Sequence, residues 1–183
     1  CLDLGKKVHE KSNIPVEVAM RYQFPSIKES LLNLKNKGCE EIFVVPLYPH
    51  YAMSTTLTTE NEVKRINEDS NFRLDLTFIG AFYKEDQYIQ SLCNVIKNNR
   101  QKESDFLLFS YHGIPNRHLV KTDPTESHCL KVKNCCDLDS DAKPYCYKAQ
   151  VIETSNLCAS KLGLKKNEWS ISFQSRIGPG WIE

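Results

Sequence analysis

A histidine stands directly after residues 105–111, an apolar run that predicts a buried strand. Gly113 and Pro115 follow, so a loop would present the His112 imidazole to a cleft. A neutral imidazole can accept a proton or bind a divalent metal near neutral pH. His112 is therefore the leading candidate for catalysis and metal binding, and a hydrogen-bonded histidine at a strand end is the plainer alternative.

Four of the eight cysteines are crowded into one short stretch with the pattern C-x5-C-C-x9-C. They are Cys129, Cys135, Cys136 and Cys146. Four thiolates suit Zn(II) or an iron–sulfur cluster, and this irregular spacing favours a cluster held by a loop. Unligated thiols are the remaining explanation. The other cysteines lie in or beside regular elements and are predicted to be small core residues: Cys1, Cys39, Cys93 and Cys158.

Aromatic and hydroxyl side chains are concentrated in residues 46–56, after another apolar run. Tyr48 and Tyr51 could line a wall against a flat apolar ligand. A strand-to-helix turn capped by a residue such as Ser54 would explain the same pattern. His50 could bind a metal, but we expect a solvent-facing histidine in a turn.

Two arginines end predicted strands. Arg21 and Arg176 could each pair with a substrate carboxylate through a bidentate fork, or could lie free at the surface. The sequence contains no glycine-rich phosphate loop and no nucleophile elbow, which removes support for nucleotide binding and for acyl transfer by a serine triad.

Strands and helices alternate along the chain, which predicts an open parallel α/β sheet with helices on both faces. Strands are predicted at residues 15–21, 41–47, 72–82, 105–111 and 169–174, and helices at 27–37, 54–67, 86–98 and 147–162. The runs at 41–47 and 105–111 are typical of strands buried on both faces. Ligands bind such sheets beyond the carboxyl ends of the strands, where the candidate residues stand. A Cys-rich loop at 121–144 interrupts the alternation.

The composition is that of a folded domain. Of 183 residues, 40% are hydrophobic and 10% aromatic, and 24 basic residues nearly balance 23 acidic ones. This balance argues against nucleic acid as a partner. The sequence has no apolar run long enough for a membrane span and no secretion signal at its start, so we expect a cytoplasmic protein, with peripheral attachment to a membrane left open.

Four segments together resemble the motifs of the ferrochelatase family. They are Ser110-Tyr-His-Gly-Ile-Pro115; Phe173-Gln-Ser-Arg176 with Gly178 and Trp181; Pro46-Leu-Tyr-Pro49 with Ser54-Thr55; and Val16-Glu-Val-Ala-Met-Arg-Tyr22. They occur in collinear order through essentially the whole chain, which makes the resemblance specific.

The resemblance implies a lyase that inserts Fe(II) into protoporphyrin IX to make protohaem, between two similar Rossmann-like lobes. His112 matches the family's active-site histidine, which binds the metal or accepts the pyrrole protons. Tyr48 matches a tyrosine of the porphyrin cleft, and Arg21, Tyr22 and Ser54 match residues near it. Residues 1–183 are then one ferrochelatase-like region with an inserted Cys-rich loop.

The chain departs from the family pattern at both ends. It lacks an N-terminal segment that forms one wall of the cleft, and it stops at Glu183, before the family's Thr-Asp-Glu motif and catalytic glutamate. Glu183 stands too close to Trp181 to take that role. We therefore expect a fragment that is inactive, or nearly so, on its own.

The resemblance also bears on the cysteines. Some bacterial ferrochelatases hold a [2Fe-2S] cluster on four internal cysteines, and the crowded set of this chain fits that pattern. In the animal type one ligand lies where this chain has Met53, so that arrangement does not apply. Two alternatives to a ferrochelatase are a redox- or iron-sensing module on a chelatase-like scaffold and a related tetrapyrrole metal chelatase.

Overall fold

The structure is a computed structural model that describes residues 1–102, 105–175 and 177–183. The helices are α1 (Leu2–Ser12), α2 (Ile27–Asn36), α3 (Thr58–Asp69), α4 (Asp86–Asn99), α5 (Asn116–Thr122) and α6 (Tyr147–Lys161). The strands are β1 (Glu41–Val44), β2 (Asp75–Phe78), β3 (Leu107–His112) and β4 (Trp169–Gln174). The chain divides into two compact units: residues 1–47 with 54–80, and residues 48–53 with 81–183.

The first unit is built on a parallel pair of strands. β1 pairs with β2 in a register that sets Ile42 beside Leu76. α2 and α3 contribute most of the apolar side chains packed against this pair, and the buried residues of this core are Ile27, Leu31, Ile42, Val63, Phe72 and Leu74. α2 begins as its sequence predicts, because Ser26 Oγ accepts the N–H of Glu29 at 3.2 Å.

The second unit repeats this plan with β3 and β4, which also pair in parallel. α4 packs against α6 through a fully buried group, Ile89, Cys93 and Cys158. A second core joins the loop after β3, α5 and the start of α6, and its buried residues are Ile114, Leu119, Cys129, Ala142, Cys146, Ala149 and Ile182.

The predicted mixed α/β architecture with parallel strands is confirmed. In the described part of the chain, the strands form two separate two-stranded sheets. The helices predicted at 27–37, 86–98 and 147–162 and the strand at 169–174 agree with α2, α4, α6 and β4 to within one residue at each end. The burial predicted for Cys93 and Cys158 is also confirmed, since both are 0% exposed.

The strand predicted at residues 15–21 is wrong. Alternating apolar residues favour a strand, but these residues find no partner strand and make only an isolated bridge between Met20 and Ser26. The N–H of Met20 donates instead to Pro25 O at 2.7 Å, which closes a local loop. A ladder partner decides whether an extended segment becomes a strand, and the local pattern cannot supply one.

Two expectations about burial are also wrong. β1 and β3 each have one covered face and one open face, with Phe43 63% exposed and Leu108 54% exposed. Their apolar runs resemble those of central strands, which are covered on both faces. In β1 and β3, however, side chains pack against only one face of the strand. Cys1, predicted to lie in the core, is exposed. No helix in the described ranges is long and apolar enough to cross a membrane.

The contact between α4 and α6 yields a prediction about stability. Ile89→Ala should lower the free energy of unfolding by about 2–5 kcal/mol, because Ile89 is 2% exposed and truncation leaves a cavity. Val95→Ala on the same helix is the matched control, because Val95 is 60% exposed. Urea unfolding followed by circular dichroism measures both. Equal losses in the two variants would contradict this packing.

Candidate active site and cysteine cavity

His112 is the last residue of β3 and lies beside Gln174, the last residue of β4. Side chains along β3 alternate between half-buried and exposed, and His112 falls on the exposed face. Its neighbour Tyr111 faces the other way, where its hydroxyl lies 2.8 Å from Ser155 Oγ on α6. Burial raises the pKa of Tyr111 to about 12 despite that hydrogen bond, so the phenol stays protonated. The imidazole therefore lies at the carboxyl edge of the sheet, on the last residue of β3 rather than in the loop that was expected to carry it.

The loops after β3 and β4 are joined by backbone hydrogen bonds. The N–H of Gly113 donates to Gln174 O at 2.7 Å, and the N–H of Ile182 donates to Ile114 O at 3.1 Å. Pro115 and Trp181 form an antiparallel bridge. The Tyr-His-Gly-Ile-Pro and Phe-Gln-Ser segments therefore meet at one edge of the sheet. Arg176, a candidate carboxylate ligand from the same stretch, lies outside the described residues.

The segment 48–53 belongs to the same unit and is anchored on α6. His50 Nε2 lies 2.9 Å from Thr154 Oγ1, whose hydroxyl donates to Tyr83 O at 2.8 Å. The His50 ring also lies against three tyrosine rings, those of Tyr83, Tyr111 and Tyr147. The solvent-facing turn expected for His50 is wrong, since the residue is 9% exposed. Desolvation lowers its pKa to about 4, so it is neutral near pH 7. Tyr48, which precedes it by two residues, is half-buried.

Three further candidates lie in the first unit. Arg21 and Tyr22 line an open groove of about 290 Å³. The Arg21 guanidinium carbon lies 4.7 Å above the Tyr22 ring, and its Nη1 lies 3.7 Å from Glu62 Oε1. Ser54 is exposed in a single π-helical turn, Met53–Leu57. The predicted helix cap is wrong, because α3 begins after Leu57 without a side-chain cap.

The structure brings the four crowded cysteines together. They line one small cavity of about 10 Å³, close to the space needed by a single water. Cys129 and Cys146 are 2% and 4% exposed, whereas Cys135 and Cys136 are half-buried in a 3-10 turn. No disulfide joins any of the eight cysteines. Within the described ranges, no group of three or more His, Cys, Asp or Glu side chains is arranged to hold a metal ion as it stands.

Cys146 is the cysteine of this set whose surroundings favour a thiolate. It is the N-cap of α6, and its Sγ accepts the N–H of Ala149 at 3.5 Å. A hydrogen bond from Cys136, together with this N–H, lowers the pKa of Cys146 although burial opposes the change. Burial raises the pKa of Cys129, and the hydrogen bond to Cys146 raises that of Cys136. A negative charge is thus favoured on Cys146 over Cys129 and Cys136, because Cys146 stands at a helix N-terminus, where backbone dipoles stabilise it.

Asp123 organises the turn that carries Cys129. Its Oδ2 accepts the N–H groups of His128 and Cys129 at 2.9 and 2.8 Å. Its Oδ1 accepts the N–H and the hydroxyl of Thr125 at 2.9 and 2.7 Å. Burial alone would raise the pKa of Asp123, but these donors outweigh it and hold the pKa well below its usual range.

Sequence reasoning did not identify Asp123 or Gln150 as site residues. Asp123 has a local signal, since an aspartate two residues before a threonine is typical of a side-chain-capped turn. Gln150 has no such signal. Its partners, Tyr51 and Pro144, are distant in sequence or belong to an irregular loop.

The fold and site define a parallel α/β protein with an exposed histidine at a strand edge and a cysteine-lined cavity. The ferrochelatase family profile matches residues 2–183. The chain belongs to the ferrochelatase family.

Curated relatives agree with this assignment. The ferrochelatase of Pseudomonas fluorescens (strain Pf0-1) is 43% identical over 171 residues, covering 92% of this chain and 50% of that protein. The ferrochelatase of Stutzerimonas stutzeri (strain A1501) is 42% identical over 171 residues, with the same two coverages. That of Ectopseudomonas mendocina (strain ymp) is 41% identical over 174 residues, covering 94% of this chain and 51% of that protein. The chain thus spans about half the length of the curated relatives it matches.

The buried His50 makes stability depend on pH. Unfolded His50 takes up a proton near its ordinary pKa of 6.5, whereas folded His50 does so only near 4, so stability falls as the pH drops between these values. Between pH 7 and 4.5 this loss should amount to about 2 kcal/mol. The glutamine of His50→Gln cannot titrate. Between pH 7 and 4.5, the free energy of unfolding of this variant should therefore fall by about 2 kcal/mol less than that of the unmodified protein.

Urea unfolding at the two pH values measures the difference. Val95→Ala is the control, because Val95 is 60% exposed and its replacement should leave the pH dependence unchanged. An identical pH dependence in His50→Gln and the unmodified protein would contradict a neutral, buried His50.

Proposed function

We propose that this chain is the part of a ferrochelatase that presents the metal-inserting histidine, and that the whole enzyme inserts Fe(II) into protoporphyrin IX in haem biosynthesis. One observation carries the proposal: His112 is exposed at the carboxyl edge of β3, where the two family motifs meet, in a chain matched by the family over residues 2–183. Metal insertion into a porphyrin without hydrolysis or oxidation makes the enzyme a lyase.

The reaction exchanges one ferrous ion for two pyrrole N–H protons. His112 accepts one of these protons on an imidazole nitrogen and the second passes to solvent; where His112 ligates the incoming iron instead, both protons pass to solvent. A neutral imidazole suits both roles near neutral pH. Its exposed position at the end of β3 leaves it open to a planar substrate, while Tyr111 holds the strand to α6 through Ser155.

The remaining candidates bind the substrate. Tyr48 lies on the segment anchored to α6 by His50, and we assign it to a wall of the porphyrin cleft. Arg21 and Tyr22 line a groove in the first unit, where a guanidinium can pair with a propionate of the porphyrin. Ser54 lies exposed in the turn before α3. These assignments come from the family pattern, and the exposure of Tyr22 and Ser54 is compatible with them.

We further propose that Cys129, Cys135, Cys136 and Cys146 hold a [2Fe-2S] cluster. The donor set fits, because four thiols line one cavity and a hydrogen bond from Cys136, together with the helix N-terminus, lowers the pKa of the Cys146 thiol. The cluster would supply a one-electron redox centre sensitive to iron and oxidants. Cys135 and Cys136 lie in a half-buried turn at this cavity, whose volume is about 10 Å³.

Eight free cysteines suit a reducing compartment, and we therefore place the protein in the cytoplasm. Because the chain spans half the length of its relatives, we infer that it has little or no activity by itself. Assays of iron insertion accordingly use the full-length protein that carries this sequence.

His112→Ala in that full-length protein should lower the rate of Fe(II) insertion by at least about 100-fold, because a general base or metal ligand is removed. Formation of protohaem is followed by absorption without oxygen. His9→Ala, on the exposed face of α1, is the control and should retain activity. Unchanged insertion by His112→Ala would favour the sensor alternative. A preference for a different tetrapyrrole in the unmodified protein would favour the related chelatase.

The cluster proposal is tested by colour and composition. Protein purified without oxygen should show broad absorption bands between roughly 300 and 600 nm and contain iron and acid-labile sulfide in equal amounts. Replacing Cys135 and Cys136 together by Ser should abolish the bands and lower the melting temperature. The matched control replaces Cys1 and Cys39, which lie outside the cavity, and should keep both. Colourless protein that contains zinc would overturn the cluster.

A further inference from the structure

The buried side chain of Gln150, on α6, joins two segments with different proposed roles. One is the segment 48–53 and the other is the Cys-rich loop. Gln150 is 1% exposed. Its Oε1 accepts the N–H of Tyr51 at 2.7 Å, and its Nε2 donates to Pro144 O at 2.8 Å. Pro144 stands two residues before Cys146, and Tyr51 stands three residues after Tyr48. Both ends of a single amide are therefore occupied, one by the segment 48–53 and one by the cysteine loop.

Gln150 is placed for this role by the helix that Cys146 caps. The N–H of Gln150 donates to Cys146 O at 3.1 Å, so the two residues lie one helical turn apart. Whatever fixes Cys146 therefore fixes the start of the helix and the position of the amide. The geometry makes Cys146 and Gln150 move as one body.

A second contact joins the same two parts of the chain. The rings of Tyr51 and Tyr145 meet edge to face with centroids 5.7 Å apart. Tyr145 directly precedes Cys146, and its carbonyl accepts the hydroxyl of Thr122 at 3.0 Å. The segment 48–53 thus contacts the 3-10 turn Lys143–Tyr145, at the end of the Cys-rich loop, through a ring pair as well as through Gln150.

The amide of Gln150 is satisfied only when both segments are in place. If the cysteine loop moves away, the buried Nε2 loses Pro144 O, and leaving such a donor unpaired in the interior is costly. The side chain is then driven to reorient toward another acceptor, and reorientation takes Oε1 away from the N–H of Tyr51. The order of the cysteine loop and the order of the segment 48–53 are therefore linked through this residue.

We propose that Gln150 is a positioning residue that couples the cysteine site to the segment carrying Tyr48. When the four thiols are engaged, the loop holds Pro144 in place and Gln150 holds the segment 48–53. When they are not, the segment loosens. The effect of this coupling on the porphyrin cleft rests on the proposed function, which assigns Tyr48 to that cleft. The link between the Cys-rich loop and the segment 48–53 does not depend on porphyrin.

Hydrogen exchange at the Tyr51 amide tests the coupling in the full-length protein, read by mass spectrometry of peptides containing Tyr51. Protein purified without oxygen is compared with the variant in which Cys135 and Cys136 are Ser. With Gln150 present, this cysteine change should speed exchange at Tyr51 at least about fivefold, a coupling typical of linked sites. In the Gln150→Met background, the same cysteine change should alter exchange less than about twofold.

Gln150→Glu is the conservative variant. At a position that is 1% exposed, burial favours the protonated carboxyl, which accepts the N–H of Tyr51 and donates to Pro144 O as the amide does. The cysteine change should therefore speed exchange at Tyr51 in Gln150→Glu as it does with Gln150 present, which a merely destabilising substitution would not produce. Gln150→Asn, whose shorter side chain cannot reach both partners, provides the test if Gln150→Met does not fold, and its response to the cysteine change should be lost. Asn156→Ala, exposed on the same helix, is the control and should retain the full response.

Two results would overturn the coupling: no response of Tyr51 to the cysteine change in the presence of Gln150, or an equal response in the Gln150→Met or Gln150→Asn variant. Neither measurement involves iron insertion. Loss of the coupling with activity intact would refute this inference alone, whereas an intact coupling in a protein that inserts no iron would refute only the proposed function.

Discussion

The N-terminus of α6 is the point on which the second unit depends. Cys146 caps this helix, lines the cysteine cavity and has a lowered pKa. A negative charge at a helix N-terminus stabilises the helix and is itself stabilised by the unpaired N–H groups there. The cap therefore ties the protonation state of a thiol to the position of a helix. Few single interactions bear on both chemistry and fold in this way.

The rest of α6 uses its buried face for polar contacts. Gln150, Thr154 and Ser155 are each no more than 1% exposed, and each is hydrogen-bonded outside its own helix. Through them α6 holds the segment 48–53 and, at Tyr111, strand β3. Buried polar groups are costly when unpaired and directional when paired. A helix with such a face fixes its neighbours more specifically than apolar packing alone would, which suits segments that present Tyr48 and His112.

The two candidate histidines, His112 and His50, differ in how far they are buried. His112 is exposed at a strand end. His50 is buried among tyrosine rings, and desolvation lowers its pKa to about 4, so it is neutral near pH 7. The two histidines are the same residue type and differ only in environment. Burial, set by the fold, makes His50 a packed, neutral side chain and leaves His112 open at the edge of the sheet.

The sequence by itself determined the alternation of helices and strands, the parallel pairing and the position of His112 at the end of a strand, because these follow from local periodicity and from strand ends. It also placed four cysteines in one short stretch, and the structure brings them to one cavity. Only the tertiary structure decided that residues 15–21 form no strand, that His50 is buried and that Gln150 joins Tyr51 to Pro144. These outcomes depend on partners distant in sequence. A local sequence pattern does not specify which partner a segment or a buried amide will contact.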